Sequence, residues 1–301
     1  MAGSLSLGIM LSGGGTTLQN FLDRTRDGKP TIKVVMGQSA EIDIGGDTQR
    51  LLCSVAGGDP PDVVWFARHS VAEWASRGAF LPLQPFLDRD QRERPHDPDT
   101  LWKEQFFQPC WEEATWDGQL YAMPTDTDNR ALYYNLDLFD KYADELVQAG
   151  CVDPEDPSKP GPPRTWEQLR RAAEILTEYD AEGRLVRVGF IPNFGNSWLY
   201  LYGWLNGGEY LSPDGRTCTL NAPEIVDALV FMTEMYDAMG GAQKVYAFQT
   251  SAQQGDIDPF LGGKVAMKID GNWFMPMMAQ LRRDFRFRVA PAPAPEGKPQ
   301  F

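Results

Sequence analysis

Strand-like and helix-like segments alternate from the start of the chain, and this rhythm restricts the fold more than any other feature. Residues 5–11 read as a strand running into Ser12-Gly13-Gly14-Gly15, and Leu18, Phe21 and Leu22 then share one helical face. Residues 32–36 read as a second strand, 48–56 as a short helix, and 62–66 as a buried third strand after the turn Gly57-Gly58-Asp59-Pro60-Pro61. A β-α-β-α-β order predicts a parallel sheet with covering helices, hence an α/β fold.

Further along, the charged stretch 88–99 reads as a solvated loop, and Asp117-Gly118 marks a hairpin turn. Segments 119–124 and 130–135 read as strands flanking 125–129. A proline-rich linker, 153–164, leads to Thr165 and Gln168, spaced as a capping box, before an apolar stripe of Trp166, Leu169, Ala173 and Leu176. Residues 186–192 read as a strand. Pro223 opens a helix with Ile225, Leu229, Met232 and Tyr236 on one face, and Gly240-Gly241 closes it. In 264–269, Val265, Met267 and Ile269 alternate onto one face; 287–291 is a last strand. The division expected is a first α/β lobe over 1–126, a second over 127–290, and a proline-rich hinge or tail over 291–301.

Composition narrows the function. A net charge of −14 argues against nucleic acid, which needs clustered Lys and Arg. The chain has only two histidines, His69 and His96, and its four cysteines, Cys53, Cys110, Cys151 and Cys218, lack metal-ligand spacing. No metal and no cofactor are therefore expected, and the thiols are read as buried and free, with one disulfide left open for an exported protein. No apolar run reaches membrane-helix length, and the N-terminus shows no basic segment or cleavage site of a signal peptide.

Ligands of open α/β sheets bind beyond the carboxyl ends of the strands. Phe66, Arg68 and His69 follow the third strand; Asp128 and Arg130 lie at the crossing between lobes; Asn196, Trp198 and Tyr200 follow 186–192; Asp270, Asn272 and Trp273 follow 264–269. Amides, carboxylates and guanidinium groups beside flat aromatic faces suit a polyhydroxylated ligand, because polar groups take the hydroxyls and a ring covers the apolar face of a pyranose. The carboxylates Asp126 and Asp128 leave glycoside hydrolysis open at this stage.

The segments GGDPPDVVWF, LYAMPTDTDNRALYYNLDLFDKY, PPRTWEQLRRAAEILT, WLNGGEYL, FLGGKVAMKIDGNWF and FRVAPAPAP occur in one order. That ordered set resembles the extracellular solute-binding proteins of ATP-binding-cassette importers, in the sugar-binding group that includes maltose-binding protein. The resemblance implies a two-lobed, periplasmic-binding-protein-like fold with a hinge and closure over a carbohydrate, delivery to a membrane permease, no enzymatic activity, a monomer, and an extracellular or periplasmic location, or anchoring at the cell surface. It implies stacking roles for Phe66 and Trp273, with Tyr200 as a further aromatic, and an acidic hinge ligand at Asp128. His69 stands where relatives carry a hydrogen-bonding Asp. Relatives continue beyond the FRVAPAPAP segment, so the fold is expected to be C-terminally truncated relative to the family. Same-fold binders of glycerol phosphate, a polyamine or a peptide remain alternatives. Residues 6–28 also resemble the opening of glycinamide-ribonucleotide formyltransferases, where a glycine-rich loop and helix start cradle a phosphate; an enzyme binding phosphate at residues 12–16 is the alternative from another class.

Overall fold

The computed structural model describes residues 7–8, 34–36, 51–53, 55–58, 63–65, 67–125, 127, 129–252 and 257–300. The chain divides into two compact units, Met1–Thr127 and Asp128–Phe301.

In the first unit, β1 (Leu7–Gly8), β2 (Val34–Met36) and β3 (Val63–Trp65) form a parallel sheet in the order β1-β3-β2. The parallel pairing agrees with the alternation in the sequence; the expected helix over residues 18–22 lies outside the described residues. Helices α1 (Val71–Ser76), α2 (Gln84–Glu93) and α3 (Gln108–Glu113) follow. They precede a hairpin of β4 (Thr115–Trp116) and β5 (Gln119–Leu120). Its turn places Asp117 at φ 47° and Gly118 at φ 72°, the paired left-handed conformation that Asp-Gly favours in two-residue hairpins. Only Gln119–Leu120 of the strand expected over 119–124 is a strand. Val71, Leu83, Leu87, Trp111, Ala114, Leu120 and Ala122 pack together.

The charged stretch 88–99 is not simply a loop. Its first part belongs to α2. Helical spacing converts the charges into supports: Gln84 donates to Asp88 at 2.8 Å and Arg94 pairs with Asp90 at 2.7 Å, both four residues apart. The hydrogen bond from Arg94 holds the Asp90 carboxyl below its ordinary range. Leu87 supplies the buried side of the helix.

The second unit is built on a five-stranded sheet in the order β10-β6-β9-β8-β7. Its strands are β6 (Arg130–Asn135), β7 (Glu178–Tyr179), β8 (Leu185–Gly195), β9 (Val265–Gly271) and β10 (Phe287–Ala290). Strands β8 and β9 run parallel, whereas β6 runs antiparallel to β9 and to β10. Around it lie α4 (Leu136–Lys141), α5 (Ala143–Gln148), α6 (Trp166–Leu176), α7 (Leu199–Leu205), α8 (Pro223–Ala238), α9 (Ala242–Ala252) and α10 (Phe274–Leu281). Every residue of β9 is buried, because it is the middle strand. The alternation expected over 264–269 therefore does not separate a core face from a wet one.

Helix α6 starts as its sequence dictates. Gln168 N–H donates to Thr165 Oγ1 at 3.2 Å, and the Gln168 side chain accepts from the Thr165 N–H in return. The expected stripe is buried at Leu169, Ala173 and Leu176, while Trp166 is half-buried and stacks on Phe231 at 4.2 Å. Thr165→Ala is expected to lower stability by about 1 kcal/mol in urea denaturation, since it leaves the N3 amide without its acceptor; an unchanged midpoint would show that the cap contributes nothing.

On α8 the expected stripe needs correcting at one position. Ile225 and Met232 are buried and Tyr236 is half-buried, but Leu229 is 52% exposed, and the buried face runs through Ala228, Phe231 and Met235 instead. Packing against both α6 and α7 rotates the stripe toward the smaller Ala228. The proline-rich segment after β10 packs rather than trails. Ala292 and Ala294 are buried, the Trp166 indole N–H donates to Pro293 O at 3.1 Å, and the Trp166 backbone N–H donates to Ala294 O at 3.0 Å.

The cysteines split into two kinds. Cys110 and Cys151 are buried, but Cys53 and Cys218 are exposed, which corrects the expectation of four buried thiols. Burial pushes the Cys151 thiol up to about 11. A thiol reagent at neutral pH is expected to modify Cys53 and Cys218 quickly and Cys110 and Cys151 only on unfolding; rapid loss of all four thiols would contradict this burial.

Candidate ligand-binding edge of the second unit

The sheet order determines which strand ends meet. Because β6 runs against β9, its first residue, Arg130, pairs with the last residue of β9, Gly271. Because β8 runs with β9, its final residue, Gly195, pairs with Ile269, and the next amide, Asn196 N–H, donates to Ile269 O at 2.9 Å. The beginning of β6 and the ends of β8 and β9 thus share one edge of the sheet.

Three predicted site residues touch there. Arg130 Nε donates to Asn196 Oδ1 at 3.1 Å, and the Arg130 guanidinium lies 4.6 Å from the centre of the Trp273 ring. The Trp273 side chain folds back over the strand end: a Cβ added to Gly271 would stand 2.2 Å from its ring atoms. Only glycine leaves space for the indole at that position. The residue as a whole remains 43% exposed, so ring surface is still offered to solvent. Asn272 beside it is exposed.

Asp270 sits lower. It is only 6% exposed; its Oδ2 pairs with Lys268 Nζ at 2.7 Å and its Oδ1 accepts from Gly271 N–H at 2.8 Å. The carboxylate stands beneath the exposed residues of the loop rather than among them. Tyr133 adds a second support by donating its hydroxyl to Gly271 O at 3.0 Å. Burial, with the nearby negative Asp270, raises the pKa of that phenol, so it stays a donor.

Trp198 follows Asn196 as the N-cap of α7 and is 49% exposed; Tyr200 lies in the first turn of α7 and is partly exposed. Tyr200 meets Trp204 in an edge contact at 5.1 Å, and Trp204 meets Tyr210 at 5.9 Å. In the first unit, Arg68 and His69 open a short 3-10 helix, Arg68–Ser70. Arg68 pairs with Glu113 at 3.3 Å, and His69 is exposed. Phe66 and Asp128 lie outside the described residues, as do Asp126 and the glycine-rich residues 12–16.

Sequence reasoning missed Lys268 and Asp258. One signal was present: a lysine set between Met267 and Ile269 in an otherwise apolar run, two residues before an aspartate, is the pattern of a buried charge with its partner. Among the described residues no group of three or more His, Cys, Asp or Glu could hold a metal ion, and no helix is long and apolar enough to cross a membrane.

This α/β arrangement recurs in known proteins. CpMnBP1, solved with mannobiose bound, is similar at a TM-score of 0.69 and 25% identity, over 98% of this chain and 70% of that one. An ABC substrate-binding protein from Listeria monocytogenes, solved in complex with cycloalternan, is similar at 0.68 and 25% identity, over 98% and 68%. In sequence, a binding protein of Brucella abortus (strain 2308) is 23% identical over 247 residues, 82% of this chain and 53% of that protein. The chain spans about half the length of the curated relatives of this kind. Residues 14–299 match the family described as bacterial extracellular solute-binding protein, and the chain belongs to that family.

Proposed function

We propose that the chain binds a sugar or oligosaccharide and passes it to the membrane permease of an ATP-binding-cassette importer, on the outer side of that membrane and without catalysing a reaction. One observation carries this reading: a half-exposed tryptophan, Trp273, is held flat by Arg130 beside the amide of Asn196 at one edge of a sheet. An aromatic face matches the apolar side of a pyranose, and the flanking amide and guanidinium match its hydroxyls.

In this reading Trp273 stacks, Arg130, Asn196 and Asn272 hydrogen-bond to hydroxyls, and Trp198 and Tyr200 add aromatic surface beyond them. Asp270 acts from below, through the backbone of the loop. Phe66, His69 and Asp128 are proposed as contacts on the basis of family resemblance, and Arg68 from its place after the third strand. The ligands bound in two similar structures, mannobiose and cycloalternan, are both carbohydrates, which supports the ligand class.

A thermal-shift panel tests the proposal. Mannobiose, mannotriose and maltotriose stand against glycerol phosphate, spermidine, a tripeptide and a ribonucleotide. A ligand at about a hundredfold excess over its Kd stabilises by about 2.7 kcal/mol, or several degrees of Tm. The expected result is a rise with an oligosaccharide alone. A rise with glycerol phosphate, spermidine or the peptide, and none with any sugar, would replace the ligand class. A rise with the ribonucleotide alone would favour the phosphate-binding enzyme.

A further inference from the structure

Beneath the binding edge lies a buried charge cluster that carries no ligand role in the reading above. Lys268, near the end of β9, is 2% exposed. Its ammonium lies 2.7 Å from Asp270 Oδ2 and 3.1 Å from Asp258 Oδ2. The same nitrogen stands 3.6 Å from the centre of the Phe274 ring and 5.2 Å from that of Phe194. Around the ammonium, then, are two carboxylates and two aromatic faces. The Tyr133 hydroxyl, donating to Gly271 O, stands behind Asp270.

These partners come from both strand ends that form the edge. Phe194 and Gly195 end β8, two residues and one residue before Asn196; Asp270 and Phe274 bracket Asn272 and Trp273. Gly195, at φ 76°, lets β8 end close against β9: a Cβ there would stand 2.6 Å from Ile269 O, 3.1 Å from Lys268 Cε and 3.4 Å from Asp270 Oδ2. Asp258 brings in the segment before β9, and its Oδ1 also accepts from Phe260 N–H at 2.8 Å. A buried ammonium is tolerated only when its donors are taken up, and here one acceptor, Asp270, belongs to the site loop and the other, Asp258, to the segment before β9.

We propose that Lys268 is a positioning residue for ligand capture: its ammonium ties Asp258, Asp270 and the Phe274 ring to the end of β8, and thereby sets where Trp273 and Asn196 stand. The inference rests on the carbohydrate-binding reading for its consequence, but not for its geometry. Removing the charge leaves the half-buried Asp258 and the buried Asp270 close together without their shared counter-ion. Like charges so placed repel, and the segment that carries Asp270 is pushed away from the end of β8.

The test uses the whole chain and three forms: wild type, Lys268→Met, and Lys268→Met with Asp258→Asn. Methionine keeps the length of the stem without the charge. Asparagine then removes the second negative charge and offers Asp270 an amide donor. Amide hydrogen exchange over 193–198 and 269–274 is expressed relative to wild type. In the single variant, protection of both segments is expected to fall about tenfold, and the second substitution is expected to restore most of it. Mannotriose affinity is expected to follow the same order. Wild-type protection in the single variant overturns the proposal. So does a loss that the second substitution does not rescue, the result for a purely packing role. Altered exchange with unaltered mannotriose affinity overturns the link to capture. If wild type binds none of the sugars, the carbohydrate reading has failed, and the exchange measurements alone decide whether Lys268 positions the loop.

Discussion

Trp273→Ala weakens oligosaccharide binding by about 1–3 kcal/mol, the range for loss of a buried aromatic anchor. The reason lies in how little freedom the ring has before a ligand arrives. One side is taken by the Arg130 guanidinium at 4.6 Å, and the indole lies so near the strand end that a Cβ on Gly271 would reach to 2.2 Å of it. Arg130 is itself fixed by Asn196 and by its pairing with Gly271 at the start of β6. A sugar meeting a ring already in place spends little free energy on ordering it. Alanine removes the face and also releases Arg130 from its stacked position. Trp273→Phe keeps a smaller face, so its loss should be smaller. Titration calorimetry of the three proteins measures the effect, and an alanine variant with unaltered affinity would remove Trp273 from the site.

Gly189→Ala destabilises the second unit by about 1–3 kcal/mol, the cost of overpacking a filled core, with the effect falling at the upper end. A Cβ at this position in β8 would lie 2.1 Å from Ala173 O and 2.5 Å from Ala173 Cα. Both atoms belong to the backbone of α6, so no side-chain rotation relieves the clash. The helix cannot retreat easily. Leu169, Ala172, Ala173 and Leu176 are buried along it, Trp166 stacks on Phe231, and the Thr165 cap fixes its start. The Gly189 N–H also donates to Thr177 Oγ1 at 3.0 Å just past the helix, which holds the two elements in register. Urea denaturation should show a lower midpoint at unchanged slope. An unaltered midpoint would mean that α6 and β8 approach less closely than described.

Much of the fold was legible because its determinants are local. The Thr165 and Gln168 pair announces the start of α6, Asp117-Gly118 announces a hairpin, and Pro223 opens α8 while Gly240-Gly241 closes it. What failed depends on spacing and packing rather than on residue type. The charges of 88–99 are largely exposed, as expected, but the stretch reads as a loop whereas 88–93 belong to a helix, with Arg94 paired to Asp90 four residues before. Leu229 looks like a core residue until packing chooses Ala228 instead. The site was half legible for the same reason. Strand ends with Asn, Asp, Arg and Trp can be found in the sequence, but their meeting requires β6 to run against β9 and β8 to run with it. Nor does the sequence separate Trp273, which faces solvent, from Asp270, which is committed to Lys268 two residues before it.

Titration calorimetry of the unmodified 301-residue chain with mannotriose and maltotriose tests the central claim most directly. The account predicts saturable one-site binding for at least one of the two. Glycerol phosphate, spermidine and a tripeptide should give no saturable heat under the same conditions. Saturable heat from one of those three, with none from either oligosaccharide, would contradict it.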